Sequence, residues 1–316
     1  MTTSRRALRK SLKTNSIPTL RERLGHARTR AIQVWRLPEL LLGRDLHRPV
    51  FVIGGPRSGS SLLFTILGAS SELAHLPGEA HEIWEADYHP ALRGWESNAL
   101  DASDVDAKVA ERIRRNFLLV TGSRRRLIDK TPRNSLRVLW INAMFPDARY
   151  VFLQRDGRDN VNSLINAWRT SRYRTYELPE PHRIPGVDGR WWKFVLYPGW
   201  RQDLDAPLEV VCARQWIACN EHALNTFAEL STGRWTTIRY EDLVDRPVDE
   251  VQRIVEFLEV PFEDTLRERA EAIDSTMINV VTPPERGKWQ RENPEEIDRI
   301  VPMIAPTMNR LGYPVE

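Results

Sequence analysis

The stretch Gly54-Gly55-Pro56-Arg57-Ser58-Gly59-Ser60-Ser61 sets a glycine-rich loop between an apolar run and a helix-like segment. Such a loop turns backbone N–H groups and the positive end of a helix toward an anion. Gly54 and Gly59 have the GxxxxG spacing of a nucleoside triphosphatase, yet Ser60 stands where that enzyme places lysine. The cation sits inside the loop instead, at Arg57, and no companion apolar strand ending in a magnesium-binding Asp accompanies it. Three further groups could do chemistry. Pro77-Gly78-Glu79-Ala80-His81-Glu82 offers proton acceptors, Lys130 follows a short apolar run, and Arg155 precedes Ser163 by eight residues. An arginine fork binds phosphate bidentately, and a hydroxyl one to two turns into a helix can reach the same anion.

The elements that must position these groups follow from the pattern. Pro49-Val50-Phe51-Val52-Ile53 is an uninterrupted apolar run ending in a glycine turn, as a strand buried on both faces requires. Ser60 to Leu67 reads as a helix closed by Gly68. Leu127-Ile128-Asp129 reads as a strand, with Thr131 as N-cap and Pro132 at the first position of a helix to about Phe145. Arg149 to Leu153 and Trp235 to Tyr240 are further strands; Asp156 caps a helix through Trp168, Pro247 starts another, and Asn293-Pro294-Glu295-Glu296 predicts a capping box. Strands alternating with helices predict an α/β fold of three layers, a central parallel sheet flanked by helices, in one domain over 49–316. An insertion at about 171–207, rich in proline and carrying Trp191, Trp192, Tyr197 and Trp200, interrupts the alternation. Its rings suit either a wall of an acceptor site or a satellite hydrophobic cluster.

Pro56-Arg57-Ser58-Gly59-Ser60-Ser61-Leu62 resembles the 5'-phosphosulfate loop of the P-loop sulfotransferases, above all the tyrosylprotein and bacterial branches, which carry Arg there. The segment from Tyr150 to Asp159, with Ser163, is similar to that family's 3'-phosphate site, Arg239-Tyr240-Glu241-Asp242-Leu243 to its strand-end Tyr near the nucleotide, and Arg286-Gly287-Lys288-Trp289 to its closing C-terminal loop. The resemblance implies a P-loop NTPase-like sulfotransferase fold and 3'-phosphoadenosine 5'-phosphosulfate as donor, held by Arg57, Ser58, Gly59, Ser60, Ser61, Arg155, Ser163, Tyr240 and residues 286–289. It also implies Glu79 as the base and Lys130 with Arg57 as the cations at the leaving oxygen; His81 and Glu82 are rival bases. Sulfuryl transfer is an in-line displacement that needs such a base and such cations. No metal is expected, since no His/Cys/Asp cluster has ligand spacing.

Composition bounds the rest. The 316 residues carry a net charge of +3 and are 41% hydrophobic, enough for one sizeable core. The excess base lies in an N-terminal arm, 1–48, expected to be partly helical and able to touch an anionic membrane surface; nucleic acid is not an expected partner. No signal peptide or membrane span is read, so a cytoplasmic location is expected. Cys212 and Cys219 fall in one helix about 10 Å apart, too far for a disulfide. The competing functions are a P-loop small-molecule kinase, which would require lysine at position 60, and a nucleotide-binding regulatory protein without turnover. The acceptor is a molecule bearing a hydroxyl or amine, whether lipid, carbohydrate, small molecule or peptide.

Overall fold

Alternation along the first strand explains the layering. β1 (Val50–Ile53) sends Phe51 and Ile53 into one apolar cluster and Val50 and Val52 into another. Both faces of the sheet are therefore covered, and all four residues are buried. The computed structural model describes residues 45–273 and 286–315, so the arm before residue 45 lies outside the described residues.

In chain order the strand and helices are followed by α1 (Ser60–Leu67), β2 (Leu73–Ala74), α2 (His81–Trp84), α3 (Ala107–Thr121), β3 (Arg126–Lys130), α4 (Val138–Met144), β4 (Arg149–Gln154) and α5 (Gly157–Arg169). Then come β5 (Arg174–Glu177), β6 (Trp191–Lys193), α6 (Leu208–Glu229), β7 (Trp235–Arg239), α7 (Tyr240–Asp245), α8 (Pro247–Leu258), α9 (Asp264–Glu271), α10 (Trp289–Glu292) and α11 (Pro294–Leu311). The five-stranded sheet is parallel throughout, in the order β2-β3-β1-β4-β7. From β1 the chain leaves toward β2, and from β4 it leaves toward β7, so the connections diverge between these two neighbours. That divergence puts the topological switch point between β1 and β4, and ligands of open α/β sheets bind beyond the C-terminal ends of the strands at such a point. The glycine loop, Lys130, Arg155 and Tyr240 all lie at those ends.

Several predicted elements form as expected, and three do not. Asp156 caps α5 by accepting from the Arg158 N–H. Thr131 makes no cap, and the helix predicted from Pro132 to Phe145 breaks into a 3-10 turn (Pro132–Leu136) and α4. The break lies at Arg137, whose guanidinium is buried near the rings of Trp84 and Trp140, with the backbone leaving helical geometry there. The capping box at Asn293 is also absent, because its side chain donates to Asn162 Oδ1 and accepts from Arg169, tying α11 to α5. Within the insertion, β5 and β6 form an antiparallel hairpin, and Trp192, Tyr197 and Trp200 are buried in the main core. These three rings therefore cannot wall an acceptor site; Trp191 alone of the four is half-buried. Cys212 and Cys219 are free and buried in α6. Among the described residues no helix is long and apolar enough to cross a membrane.

Candidate active site

The loop from Gly54 to Gly59 is held by close backbone approach. A Cβ on Gly54 would meet Ser58 Oγ at 2.8 Å and the Leu153 carbonyl at 3.0 Å. Gly59, at φ 98°, starts α1 beneath the Tyr240 ring, and a Cβ there would lie 2.2 Å from Tyr240 Cδ2. The strand-end tyrosine and the loop glycine thus share one space. Replacing Gly59 by Ala adds both left-handed strain and a clash, so we expect a loss of about 2 kcal/mol or more of stability. Urea denaturation checks this; an unchanged midpoint would mean that Tyr240 does not pack on the loop.

On the β3 side of α1, Lys130 Nζ is buried and donates to Ser61 Oγ (3.0 Å) and to Glu79 Oε1 (2.5 Å). The other Glu79 oxygen lies 2.5 Å from His81 Nε2. Glu79 is fixed in place because the N–H of the next residue, Ala80, donates to Thr131 Oγ1 (3.2 Å), which explains why Thr131 is not a helix cap. Burial favours the neutral acid, but the His81 hydrogen bond and the Lys130 ammonium outweigh it, and the Glu79 carboxyl is held down to about 2. Burial pushes the His81 imidazole below its ordinary value. Of the three candidate bases, Glu79 and His81 come together at Lys130. Glu82, on the exposed side of α2, joins neither.

On the β4 side, Arg57 (φ 66°) donates from Nε to Ser163 Oγ and from Nη1 to Tyr173 Oη, each at 3.2 Å. Arg155 Nη1 donates to the Arg57 carbonyl (2.8 Å), and its guanidinium lies 4.4 Å from the Tyr240 ring centroid. Arg155 and Ser163 are therefore joined through Arg57 rather than to each other. Asn160 Nδ2 donates to the Pro56 carbonyl (3.0 Å), fastening the loop to α5. Among the described residues, two buried donors on this flank, Ser58 Oγ and Arg155 Nε, lack a partner, as does the acceptor Asp159 Oδ1 of α5. Buried donors are ordinarily satisfied, so the grouping of these two fits an anion. Ser60 is buried at the first position of α1.

The C-terminal segment lies against α5 and α7, each residue making its own contact. The Gly287 N–H donates to Asp159 Oδ2 (2.9 Å), Lys288 pairs with Glu292 (3.3 Å), the Trp289 ring lies 5.8 Å from the Arg158 guanidinium, and Arg286 pairs with Asp245.

Two features escape sequence reasoning. Tyr173 comes from the insertion and touches Arg57. Beneath α2, buried Glu85 pairs with Arg133 and Arg137 (3.7 Å to the latter) and accepts from Tyr176 Oη (3.2 Å). Burial opposes its charge, but the two guanidiniums prevail and hold Glu85 down to about 2. Partners about 50 and 90 residues from Glu85 leave no local signature.

A parallel sheet with a glycine loop at its switch point and cations on both flanks of the first helix defines an α/β protein of the phosphate-anion-binding class. The sequence model of the sulfotransferase family matches residues 49–184 and 190–264, more than half of the chain. The chain belongs to the sulfotransferase family and is an enzyme of that class. It is 25% identical over 295 residues to protein-tyrosine sulfotransferase A of Caenorhabditis elegans, covering 86% of this chain and 69% of that one. With the protein-tyrosine sulfotransferase of Drosophila melanogaster it shares 24% identity over 291 residues, 84% of this chain but only 52% of the relative. Sulfotransferase STF9 from Mycobacterium avium shares the fold, with a TM-score of 0.58 at 16% identity, covering 93% of this chain and 83% of that one.

Proposed function

We propose that the protein transfers a sulfuryl group from 3'-phosphoadenosine 5'-phosphosulfate to an acceptor hydroxyl. The observation that carries this reading is the pair of flanks around the α1 N-terminus, Glu79, Lys130 and Ser61 on one and Arg57, Arg155 and Ser163 on the other. When bound, the donor supplies an activated sulfur and a phosphate leaving group. Arg155 and Ser163 hold the 3'-phosphate, with residues 286–289 closing over it. Arg57, Ser58, Ser60, Ser61 and the Gly59 backbone hold the 5' end, and Tyr240 borders the nucleotide. The partnerless Ser58 Oγ and Arg155 Nε fit this assignment. Glu79 takes the acceptor's proton on a carboxylate oxygen, while Lys130 and Arg57 present positive charge to the departing oxygen. The relatives named for protein tyrosine act, by that name, on a hydroxyl-bearing acceptor, which supports an oxygen nucleophile.

Calorimetric titration separates this reading from a kinase. We expect 3',5'-adenosine bisphosphate to bind without metal and more tightly than ATP with magnesium. Preference for ATP with magnesium would overturn it.

A further inference from the structure

The insertion reaches the site through strained backbone. Among the described residues six non-glycines have left-handed φ, and three of them, Arg57 (66°), Tyr173 (60°) and Phe194 (64°), lie in series, with Tyr173 touching both of the others. Tyr173 Oη accepts from Arg57 Nη1 at 3.2 Å, the guanidinium lies 5.3 Å from the Tyr173 centroid, and the Phe194 ring backs Tyr173 at 5.3 Å. A bulky residue held in this region costs about 1–3 kcal/mol and persists only where the surroundings impose it. Here the surroundings do so. The Phe194 N–H donates to Thr175 Oγ1 (2.9 Å), which in turn donates to the Tyr173 carbonyl (3.1 Å), closing the two arms of the hairpin together. Lys193, next to Phe194, is buried and donates to the Trp168 carbonyl (2.7 Å) at the end of α5, the helix that carries Ser163. Gln215 of α6 donates to the carbonyls of Lys193 (2.8 Å) and Val195 (2.9 Å). The hairpin is thereby fixed to two helices, and its ends are bent to deliver one hydroxyl to one guanidinium.

Resting on the function proposed above, we infer that Tyr173 is a positioning residue for sulfuryl transfer, holding the Arg57 guanidinium against the reacting group through its hydroxyl. An arginine side chain has several rotatable bonds, and two hydroxyl acceptors, Ser163 and Tyr173, fix both its reach and the rotation of its fork. The assignment gives the insertion a task in the reaction that its buried tryptophans do not supply.

The test is a double-mutant cycle on the full chain. Tyr173→Phe keeps the ring, its tilted contact with Phe194 and its contact with the guanidinium, so folding should be preserved. The variant should lose about tenfold in kcat, in line with one hydrogen bond acting in the transition state. Calorimetric affinity for 3',5'-adenosine bisphosphate should stay within about threefold, because positioning at the reacting group is not donor binding. On the Arg57→Ala background, the same substitution should have no further effect, since the cycle isolates their coupling. An unchanged kcat in Tyr173→Phe, or an equal loss with and without Arg57, would overturn the inference. Wild-type transfer is measured first: its absence sinks the proposed function itself, whereas additivity with an active wild type sinks only the role of Tyr173.

Discussion

Glu79→Gln is expected to lower kcat by about 100-fold or more while leaving 3',5'-adenosine bisphosphate affinity nearly unchanged, as removal of a general base requires. The amide keeps the size of the carboxylate and can still accept from Lys130 Nζ, which lies 2.5 Å away, but it cannot take a proton from the acceptor. Folding should survive, since Ser61 Oγ remains a partner for Lys130 at 3.0 Å. The same experiment separates Glu79 from its two rivals. Retained turnover in Glu79→Gln would move the base to His81, which already faces Glu79 at 2.5 Å, or to exposed Glu82.

The pH profile sharpens this result. With Glu79 held down to about 2, the free enzyme carries an ionised carboxylate throughout pH 5–8, so kcat/KM should show no acid limb from this group in that range. His81 is also lowered from its ordinary value, and it becomes cationic only below it. A loss of kcat/KM toward acid pH that disappears in His81→Gln would assign the limb to His81 rather than to Glu79. The cause of the low Glu79 value has a functional consequence. The His81 hydrogen bond and then the Lys130 ammonium stabilise the carboxylate in the free enzyme, so a shift of Lys130 toward a leaving oxygen would make Glu79 more basic.

How far the sequence reveals these features depends on the range of the interactions behind them. β1 and β4 are legible because a strand covered on both faces must be apolar throughout, and α1 and α5 because their glycine and Asp156 boundaries are local. The pairing of Glu79 with Lys130 is legible only through family resemblance, since 51 residues separate them. Thr131 and Asn293 illustrate the failure. Each has the residue type and position of a cap, yet each spends its side chain on a partner far away, Thr131 on Ala80 and Asn293 on Asn162. The helix break at Arg137 arises the same way, from a buried guanidinium near Glu85, Trp84 and Trp140 that no local pattern announces. Tyr173 is hidden for a different reason: an aromatic residue beside a proline-rich stretch reads as packing, and only left-handed backbone turns its hydroxyl to Arg57.

Arg155→Ala carries the other large effect, on donor binding rather than turnover. Arg155 donates to the Arg57 carbonyl and rests on the Tyr240 ring, while its Nε is buried without a partner among the described residues. A buried guanidinium N–H left unsatisfied is costly, so a phosphate that completes it gains more than it would in water. Hydrogen bonds to charged groups contribute about 1.5–3 kcal/mol, and loss of the fork should weaken 3',5'-adenosine bisphosphate by about 100-fold. ATP, which lacks a 3'-phosphate, should lose far less, so the preference for the bisphosphate should collapse. Arg155→Lys should recover only part of the affinity, because an ammonium supplies charge without the planar fork. Calorimetry of both ligands against the three proteins decides the matter: equal weakening of bisphosphate and ATP would place Arg155 at a part of the nucleotide common to both, and unchanged binding would remove it from the donor site. The unequal loss is the expected outcome, because Arg155 and Ser163 both bond to Arg57 and so lie together on the β4 flank of the loop.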